Sequence, residues 1–344
     1  MKPRAFGEAT LYTFENKNGM VMEVTDFGAT LYSLLVSDKE GNLCDVVLGY
    51  DTPKEYMGES NTGFGATIGR NGNRIGKATF TLNGKTYQLE KNNNGNNLHS
   101  GLNYYHHRMW EVKEVTDSSI TFSLHSPDGD QGFPGTFDVD VTYTLTDENE
   151  LKIDYYGIPQ EDTVVNMTNH TYFNLNGHAS GDVLEQEVWM DADAFTATDE
   201  ELIPTGEIVN VEGTPMDFRV FTPIGAHLKD AFEQLRQAKG YDHNYEIIGE
   251  PGKLRYAACA RSGVSGINMR VETTMPGIQL YTANLLGERR GKQGAVYGKN
   301  HAFCLETQFY PDSPNRSLFP SSMLRTGEKY DHTTVFTFST DGMQ

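Results

Sequence analysis

Short runs of alternating apolar and polar residues, separated by turn residues, recur along most of the chain. The clearest run extends from Ala78 to Leu89, and Asn83-Gly84 at its centre are residues that tolerate positive φ in a tight hairpin turn. Residues 137–156 repeat the pattern around an Asp-Glu-Asn turn at 147–149. A period of two residues is typical of half-buried strands. The chain is therefore predicted to be mostly β.

Further segments are rich enough in Val, Ile, Thr, Tyr and Phe to be predicted as strands. These segments are 22–36, 110–115, 120–125, 164–173, 183–191, 254–260, 267–273, 278–283, 302–309 and 334–338. One helix is predicted from Ile224 to Lys239, where apolar residues recur at helical spacing after Thr222-Pro223, a capping and first-turn pair. Many strands with one helix exclude a doubly wound α/β sheet, which needs alternating helices. We predict an all-β fold, a large antiparallel β-sandwich with few short helices.

Composition limits the domain organisation and the partners. The 35 Gly and 13 Pro residues are spread along all 344 positions without a linker or a repeat, so one domain spanning residues 1–344 is expected. Lys and Arg total 28 against 47 acidic residues, and the net charge of -19 opposes binding to nucleic acid or to an anionic membrane. A neutral small-molecule partner is expected.

The cysteines and the apolar runs indicate a compartment. Cys44, Cys259 and Cys304 are odd in number and far apart, so neither a disulfide framework nor a CxxC metal site is expected. No apolar run approaches the roughly 18 residues that a membrane span requires. A cytoplasmic location without membrane contact is therefore predicted.

Strand alternation singles out an acid within the segment FCLETQ at 303–308. Leu305 lies on one face, and Glu306 lies on the other face between Cys304 and Gln308. The residues alone leave two interpretations open: an exposed acid on a half-solvated strand, or a general base at the floor of a cleft. Asp242 is a candidate second acid if the pair were to hydrolyse a glycosidic bond.

The segment NMTNHTYFNL at 166–175 has polar residues on both strand faces. Because each buried polar group needs a partner, such a segment is predicted to line a wet concave surface. His170 within it is either a hydrogen-bonded structural residue or a functional one. Gln279 and Tyr281 share a face of a later strand, where they either hold substrate hydroxyls or satisfy a sheet edge.

Two other features do not match known cofactor or metal motifs. The glycine-rich segment FGATIGRNGNRI at 64–75 lacks the Lys-Ser/Thr pair and the GxGxxG spacing of nucleotide loops, so no phosphate site is expected. His99, His106, His107 and His125 do not have zinc-ligand spacing, so no metal is expected. His106 and His107 are expected in a loop or on the surface.

Six motifs in chain order resemble the aldose 1-epimerases, also called galactose mutarotases. The motifs are GATIGRNGNRI at 65–75, NNLHSG at 96–101, TNHTYFNLNG at 168–177, DHNY at 242–245, PGIQLYTAN at 276–284, and LETQFYPDSPN at 305–315 with the C-terminal strand region. The resemblance runs from about residue 28 to residue 338. It implies the galactose mutarotase-like supersandwich, an open cleft, and interconversion of the α and β anomers of free aldohexoses such as D-galactose and D-glucose, without metal or cofactor.

The resemblance also implies residue roles. Glu306 is similar to the family's general base, His170 to its general acid, and His99 to its second active-site histidine near the ring oxygen. The residues similar to the family's substrate-hydroxyl ligands are Asn73, Arg74, Asp242 and Gln279. Tyr172 is a candidate for the cleft wall. Monomer and homodimer both stay open.

The chain departs from the family pattern at two places, Asn71-Gly72 in the arginine loop and Leu102 to His107 after NLHSG. These departures affect the expected sugar more than the expected reaction. The alternatives within the fold are a mutarotase of disaccharides such as maltose and a hexose-6-phosphate epimerase, which should carry more basic residues near its cleft. A noncatalytic sugar-binding protein is the alternative from another class, and retention of both Glu306 and His170 argues against it.

Overall fold

The computed structural model describes residues 2–58 and 63–340. Its strands, numbered in chain order, are β1 Lys2–Phe6, β2 Ala9–Glu15, β3 Val21–Thr25, β4 Thr30–Ser37, β5 Leu43–Asp45, β6 Ala66–Ile68, β7 Arg74–Ile75, β8 Thr79–Leu82, β9 Lys85–Gln88, β10 Asn97–Leu98, β11 Glu111–Val115, β12 Ser119–Ser126, β13 Phe137–Leu145, β14 Glu150–Pro159, β15 Thr163–Val164, β16 Thr168–His170, β17 Glu187–Met190, β18 Ala194–Thr198, β19 Pro204–Asn210, β20 Thr222–Pro223, β21 Asp242–Glu246, β22 Arg255–Arg261, β23 Asn268–Thr273, β24 Gly277–Tyr281, β25 Arg289–Arg290, β26 Val296–Tyr297, β27 Cys304–Gln308, β28 Met323–Leu324 and β29 Tyr330–Ser339. The α-helices of the described residues are α1 Pro53–Tyr56 and α2 Glu233–Ala238.

Three antiparallel sheets form the body of the molecule. The largest has nine strands in the order β11-β12-β13-β14-β29-β23-β22-β17-β20. A five-stranded sheet, β1-β2-β3-β4-β5, is built by the N-terminal segment, and a second one, β19-β18-β21-β24-β27, carries several of the predicted site residues. Separate two-stranded pairs, β16 with β6 and β10 with β7, carry His170 and Arg74.

One continuous apolar core joins the three sheets. It includes Leu34 from the N-terminal sheet, Val141 and Val271 from the nine-stranded sheet, and Leu280 and Leu305 from the second five-stranded sheet, all of them buried. Apolar side chains on one face of each sheet are buried against the other sheets, which is how antiparallel sheets stack into a sandwich. The all-β sandwich prediction is confirmed.

Both predicted hairpins are confirmed. β8 pairs with β9 around Asn83-Gly84, whose φ angles of 51° and 76° lie in the left-handed region that this turn requires. β13 pairs with β14 around the turn at 147–149. The predicted strand at 22–36 is two strands, β3 and β4, and the one at 164–173 is reduced to the short strands β15 and β16. Among the strands of five or more residues, β1, β2, β18, β19 and β21 lie outside the predicted segments.

The predicted helix from Ile224 to Lys239 is wrong over most of its length, since only α2 at its end is helical. Thr222 and Pro223, predicted as its cap and first turn, form β20 and pair with β17. The backbone N–H groups of Ile224 and Gly225 donate to carbonyls of residues 186 and 184, so a neighbouring chain segment replaces the helical acceptors. Of the apolar residues that suggested a helix, Ile224 is buried outside any helix, Leu228 and Phe232 are half-buried against the core, and Leu235 is buried within α2. No helix in the described part of the chain is long and apolar enough to cross a bilayer.

Candidate active site

The floor of a cleft is formed by β24 and β27, which are adjacent antiparallel strands. Their register places Gln279 opposite Glu306 and Tyr281 opposite Cys304. Because alternate residues of a strand point to opposite faces, Leu280 and Leu305 enter the core while these four side chains share the other face. Strand alternation thereby places a carboxylate on a strand whose other face packs into the core through Leu305.

Glu306 is buried, with 2% of its surface exposed, so the interpretation as an exposed acid is wrong. Its Oε2 has no hydrogen-bond partner among the described residues. Burial, reinforced by the nearby charge of Asp242, raises the pKa of Glu306 well above its usual 4.5, and Arg74 opposes this shift. A buried carboxyl with an unpaired oxygen and a raised pKa has the properties of a proton-transfer group.

His170 ends β16, which pairs with β6, and its ring reaches across to β27. Its Nε2 lies 3.6 Å from Oε2 of Glu306, slightly beyond hydrogen-bond distance. The ring stacks on Tyr172 with centroids 5.0 Å apart and an interplanar angle of 19°. Burial lowers the pKa of His170 from 6.5 to about 4, against a smaller opposing effect of its own backbone carbonyl. A low pKa makes protonated His170 a strong acid.

His99 lies edge-on to His170, with ring centroids 5.4 Å apart. The backbone N–H of Asn73 donates to Nδ1 of His99 at 3.1 Å, and the backbone N–H of His99 donates to the carbonyl of Asn73 at 3.0 Å. Since Nδ1 accepts, neutral His99 carries its proton on Nε2. Both residues have φ in the left-handed region, 58° for Asn73 and 53° for His99. Such backbone strain concentrates at functional sites. Here the two reciprocal hydrogen bonds between Asn73 and His99 stabilise the strained conformation.

Arg74, Asp242 and Gln279 form a charged network at one end of the cleft. Nη1 of Arg74 lies 3.6 Å from Oδ2 of Asp242, and Gln279 donates from Nε2 to Oδ1 of Asp242 at 2.7 Å. Gln308 supports Gln279 from behind by donating to its Oε1 at 3.0 Å. The carboxylate of Asp242 is thus oriented by its neighbours, and the long Arg74 contact leaves both charged groups able to bind a ligand.

These groups surround a cavity of about 210 Å³. Seven of the eight predicted site residues line it, namely Asn73, Arg74, His99, His170, Tyr172, Asp242 and Glu306. Gln279 does not line it and lies beneath Asp242. Tyr172 forms part of the cavity wall, and its stacking on His170 also orients the imidazole. The cavity lies below the range of about 300–1,000 Å³ that is typical of drug-sized ligands, so it suits a small molecule.

Sequence reasoning missed several cavity residues. His106 was expected in a loop or on the surface, but it is 5% exposed, lines the cavity and stacks on Tyr104 with centroids 4.7 Å apart. Its burial in a short turn after His99 depends on the folding of residues 102–107, for which the alternation of the sequence has no signal. Tyr281 and Arg289 also line the cavity. Arg289 had no signal in the sequence, whereas Tyr281 had already been placed on one strand face with Gln279 as a candidate for holding substrate hydroxyls.

The other candidate features of the sequence are structural. Arg70 in the glycine-rich segment is completely buried and donates to protein carbonyls, so this side chain is not available to a phosphate. Within residues 2–58 and 63–340, no group of three or more His, Cys, Asp and Glu side chains is arranged to hold a metal ion. The cysteines at 44, 259 and 304 are free thiols.

Comparison with known proteins identifies the family of the chain. The family model described as aldose 1-epimerase matches residues 10–337. The chain is 43% identical to galactose mutarotase of Bos taurus over 335 residues, 97% of this chain and 95% of the relative, and 42% identical to galactose mutarotase of Homo sapiens over the same shares. Aldose 1-epimerase of Escherichia coli K12 is 36% identical over 95% of this chain and 94% of its own length.

Solved structures have the same fold. A GalM/aldose epimerase homologue from C. elegans superposes with a TM-score of 0.89 at 35% identity, covering 96% of this chain and 99% of that chain. Galactose 1-epimerase from Lactobacillus acidophilus superposes with a TM-score of 0.85 at 26% identity, covering 98% and 97%. The chain belongs to the aldose 1-epimerase family, as the resemblance of its motifs predicted.

Proposed function

We propose that Glu306 and His170 are the base and acid with which this aldose 1-epimerase interconverts sugar anomers. The mutarotase activity follows from family membership along nearly the whole chain. The observation that supports the residue assignment is the distance of 3.6 Å between Nε2 of His170 and Oε2 of Glu306, at the cleft whose floor β24 and β27 form. The two oxygens that exchange protons in a cyclic hemiacetal are bonded to one carbon, C1. An acid and a base that serve both must therefore lie side by side.

The proton transfers balance without an outside reactant. Ionised Glu306 takes the proton of the C1 hydroxyl, the electron pair of that O–H bond forms the C1 carbonyl, and the C1–O5 bond breaks as protonated His170 gives its proton to O5. The open-chain aldehyde then turns about the C1–C2 bond. On ring closure Glu306 returns its proton to the C1 oxygen while neutral His170 removes one from O5. Each positioned group of this kind contributes about 10²- to 10⁴-fold to the rate.

The electrostatics of the pair suit this exchange. Burial raises the pKa of Glu306 and lowers that of His170 to about 4, so burial disfavours the charged form of both groups. With one proton shared between them, the pair has zero net charge before and after transfer. The proton count of the pair is therefore the same on both sides of ring opening, and no buried net charge is created.

The remaining residues bind and orient the sugar. The Nε2–H of neutral His99 is a donor toward the ring oxygen, where it would stabilise developing negative charge. The amide of Asn73, the guanidinium of Arg74 and the carboxylate of Asp242 bind hydroxyl groups of the sugar in this proposal. Gln279 holds Asp242 in place. Tyr172 provides the wall behind His170.

The size of the cavity favours a free monosaccharide such as galactose or glucose. A volume of about 210 Å³ accommodates one sugar ring, and the second ring of maltose would have to lie outside the cavity. Arg289 adds a basic residue to the cavity wall, and its Nη1 has no partner among the described residues. That observation keeps a sugar phosphate as the second candidate substrate.

The test dissolves crystalline α-D-galactose and follows optical rotation or the anomeric proton NMR signals, with and without protein. Parallel reactions contain α-D-glucose, maltose and glucose 6-phosphate. We expect the largest acceleration with galactose or glucose. Acceleration of maltose or the phosphate alone would overturn the monosaccharide assignment. Sugar binding without acceleration of any reaction would identify a noncatalytic sugar-binding protein.

We also propose that the chain works in the cytoplasm as a monomer or homodimer that binds neither nucleic acid nor membrane. Three free cysteines, two of them buried, support a reducing compartment. The net charge of -19 supports the absence of polyanionic partners. Light scattering after size-exclusion chromatography distinguishes 38.4 kDa from twice that mass.

A further inference from the structure

Cys304 lies behind the acid of the catalytic pair. It is completely buried on β27, two positions before Glu306 and on the same strand face. Its Sγ lies 3.6 Å from Nδ1 of His170, within the range of a hydrogen bond to sulfur. Since Nε2 of the same ring faces Glu306, the two nitrogens of His170 have different neighbours, the carboxyl on one side and the thiol on the other.

The exchange reaction requires one particular neutral form of His170. After Nε2 has given its proton to the ring oxygen, the remaining proton must be on Nδ1, and Nε2 must offer a lone pair to take the proton back. The other tautomer, with the proton on Nε2 and the lone pair on Nδ1, cannot act as the base in ring closure. The partner of Nδ1 determines which tautomer is populated.

The acceptor that the geometry places beside Nδ1 is the sulfur of Cys304, and the backbone carbonyl of His170 also accepts from the ring. Burial, with the charges of Glu306 and Asp242, raises the pKa of Cys304 well above 9, so the sulfur belongs to a neutral thiol. Sulfur is a weak hydrogen-bond acceptor.

We propose that Cys304 is a positioning residue, whose sulfur accepts the Nδ1–H of His170 and thereby keeps Nε2 as the nitrogen that exchanges its proton with the substrate. This inference rests on the proposed function for the role of His170. The choice of sulfur has a physical consequence. A carboxylate at this place would favour the imidazolium and weaken it as an acid, whereas a neutral thiol orients the ring and adds little stabilisation to the charged form.

Cys259 provides a matched control. It is also a free and buried cysteine, but it lies on β22 of the nine-stranded sheet, opposite Trp189 and Arg270 on neighbouring strands and away from the cleft. Removing either thiol removes one buried sulfur. Only the loss of Cys304 should alter the imidazole of His170.

The experiment compares Cys304→Ala, Cys304→Ser and Cys259→Ala with the unmodified protein. Nitrogen-15 NMR of ¹⁵N-histidine-labelled protein, without sugar, reports the tautomer of His170, whose signal is assigned by its absence in His170→Asn. We expect the Nδ1–H tautomer in the unmodified protein and in Cys259→Ala, and a mixture of tautomers in Cys304→Ala. In polarimetry we expect kcat to fall about five- to tenfold in Cys304→Ala, the equivalent of one net hydrogen bond, and to recover in Cys304→Ser.

Several results would overturn the inference. They are an Nε2–H tautomer in the unmodified protein, an unchanged tautomer and kcat in folded Cys304→Ala, or failure of serine to restore kcat. Thermal melting curves establish that each variant is folded. If Cys304→Ala does not fold, the tautomer of His170 in the unmodified protein and the kcat of Cys304→Ser still test the inference. The tautomer is read without substrate, so it stands apart from the polarimetry. Absence of mutarotation in the unmodified protein would refute the proposed function instead.

Discussion

Arg70 and Arg74 lie in the same glycine-rich segment, both are buried, and their surroundings differ completely. Arg70 donates to the carbonyls of Pro134 at 2.8 Å and Gly135 at 2.7 Å, and to the hydroxyl of Ser126 at 2.6 Å. Among the described residues, Arg74 makes one side-chain hydrogen bond, from Nε to Asn93 at 3.2 Å, and the 3.6 Å contact with Asp242. The first guanidinium is saturated by protein acceptors, and the second is left partly unpaired on a cavity.

This difference separates structural from functional polar groups. A buried donor without a partner costs free energy, so proteins pair such groups unless a ligand is to complete them. The same contrast divides the buried acids. Asp130 accepts from both Arg108 and Ser126, while Oε2 of Glu306 has no described partner. Incomplete pairing on a cavity wall, rather than residue type, is what marks the site.

The sharpest test of the contrast is Glu306→Gln, which keeps the shape and removes the base. We expect kcat to fall about 10²- to 10⁴-fold because the C1 hydroxyl loses its proton acceptor, while the circular dichroism spectrum is unchanged. Polarimetry with galactose measures the loss. A near-normal rate in this variant would refute the assignment of the base.

Arg70→Met should have the next largest effect, on stability. It leaves buried acceptors at 126, 134 and 135 without their donor, so we expect the free energy of unfolding to fall by about 3 kcal/mol or more. Urea denaturation measures this change. The control is Arg325→Met, which breaks an ion pair whose arginine side chain is 54% exposed and should cost about 1 kcal/mol or less. Equal effects of the two substitutions would contradict the structural role of Arg70.

Arg74→Met should show the reverse profile. We expect kcat/KM to fall about 10- to 100-fold, since a buried charged contact to the sugar is worth about 1.5–3 kcal/mol, with a change in unfolding free energy of less than about 1 kcal/mol. Steady-state polarimetry and urea denaturation on the same preparation provide both numbers. If Arg74→Met destabilises the protein as much as Arg70→Met does, the comparison of the two arginines fails.

The smallest expected effect is a gain in stability from Glu306→Gln that depends on pH. Because burial raises the pKa of Glu306 in the folded protein, the folded state holds a proton that the unfolded state releases above about pH 4.5. The unmodified protein therefore loses stability as pH rises toward the folded pKa, and the glutamine variant does not. We expect the variant to be more stable by about 1–2 kcal/mol at pH 8 and by little at pH 4.

Denaturation curves at the two pH values measure this difference. The control is Glu148→Gln, an exposed position in the turn at 147–149, which should show no such pH dependence. A gain for Glu306→Gln that is the same at both pH values would show that its cause is packing rather than the buried carboxyl.

Much of the fold and part of the site were determined by the sequence itself. The two-residue period of the strand placed Leu305 in the core and Cys304 and Glu306 together on the other face. Asn83-Gly84 likewise specified a hairpin turn. Both features depend only on residues that are neighbours in the chain. The same local reasoning failed from Ile224 to Lys239, where hydrogen bonds to residues 184 and 186 replaced the helical acceptors. The motifs identified the family and singled out Arg74 as a candidate ligand of the sugar, but they gave no indication that Arg70 is saturated by protein acceptors.

Only the tertiary structure decided which polar groups are paired and which are available. It brought His170 to 3.6 Å from Glu306 across two sheets, buried His106 beside them, and placed Cys304 against the far nitrogen of His170. The shifted pKa values of the pair also arise there, because desolvation depends on every atom packed around a group. Residue type and strand face are properties of the local sequence, whereas burial, pairing and proton affinity are properties of the assembled neighbourhood.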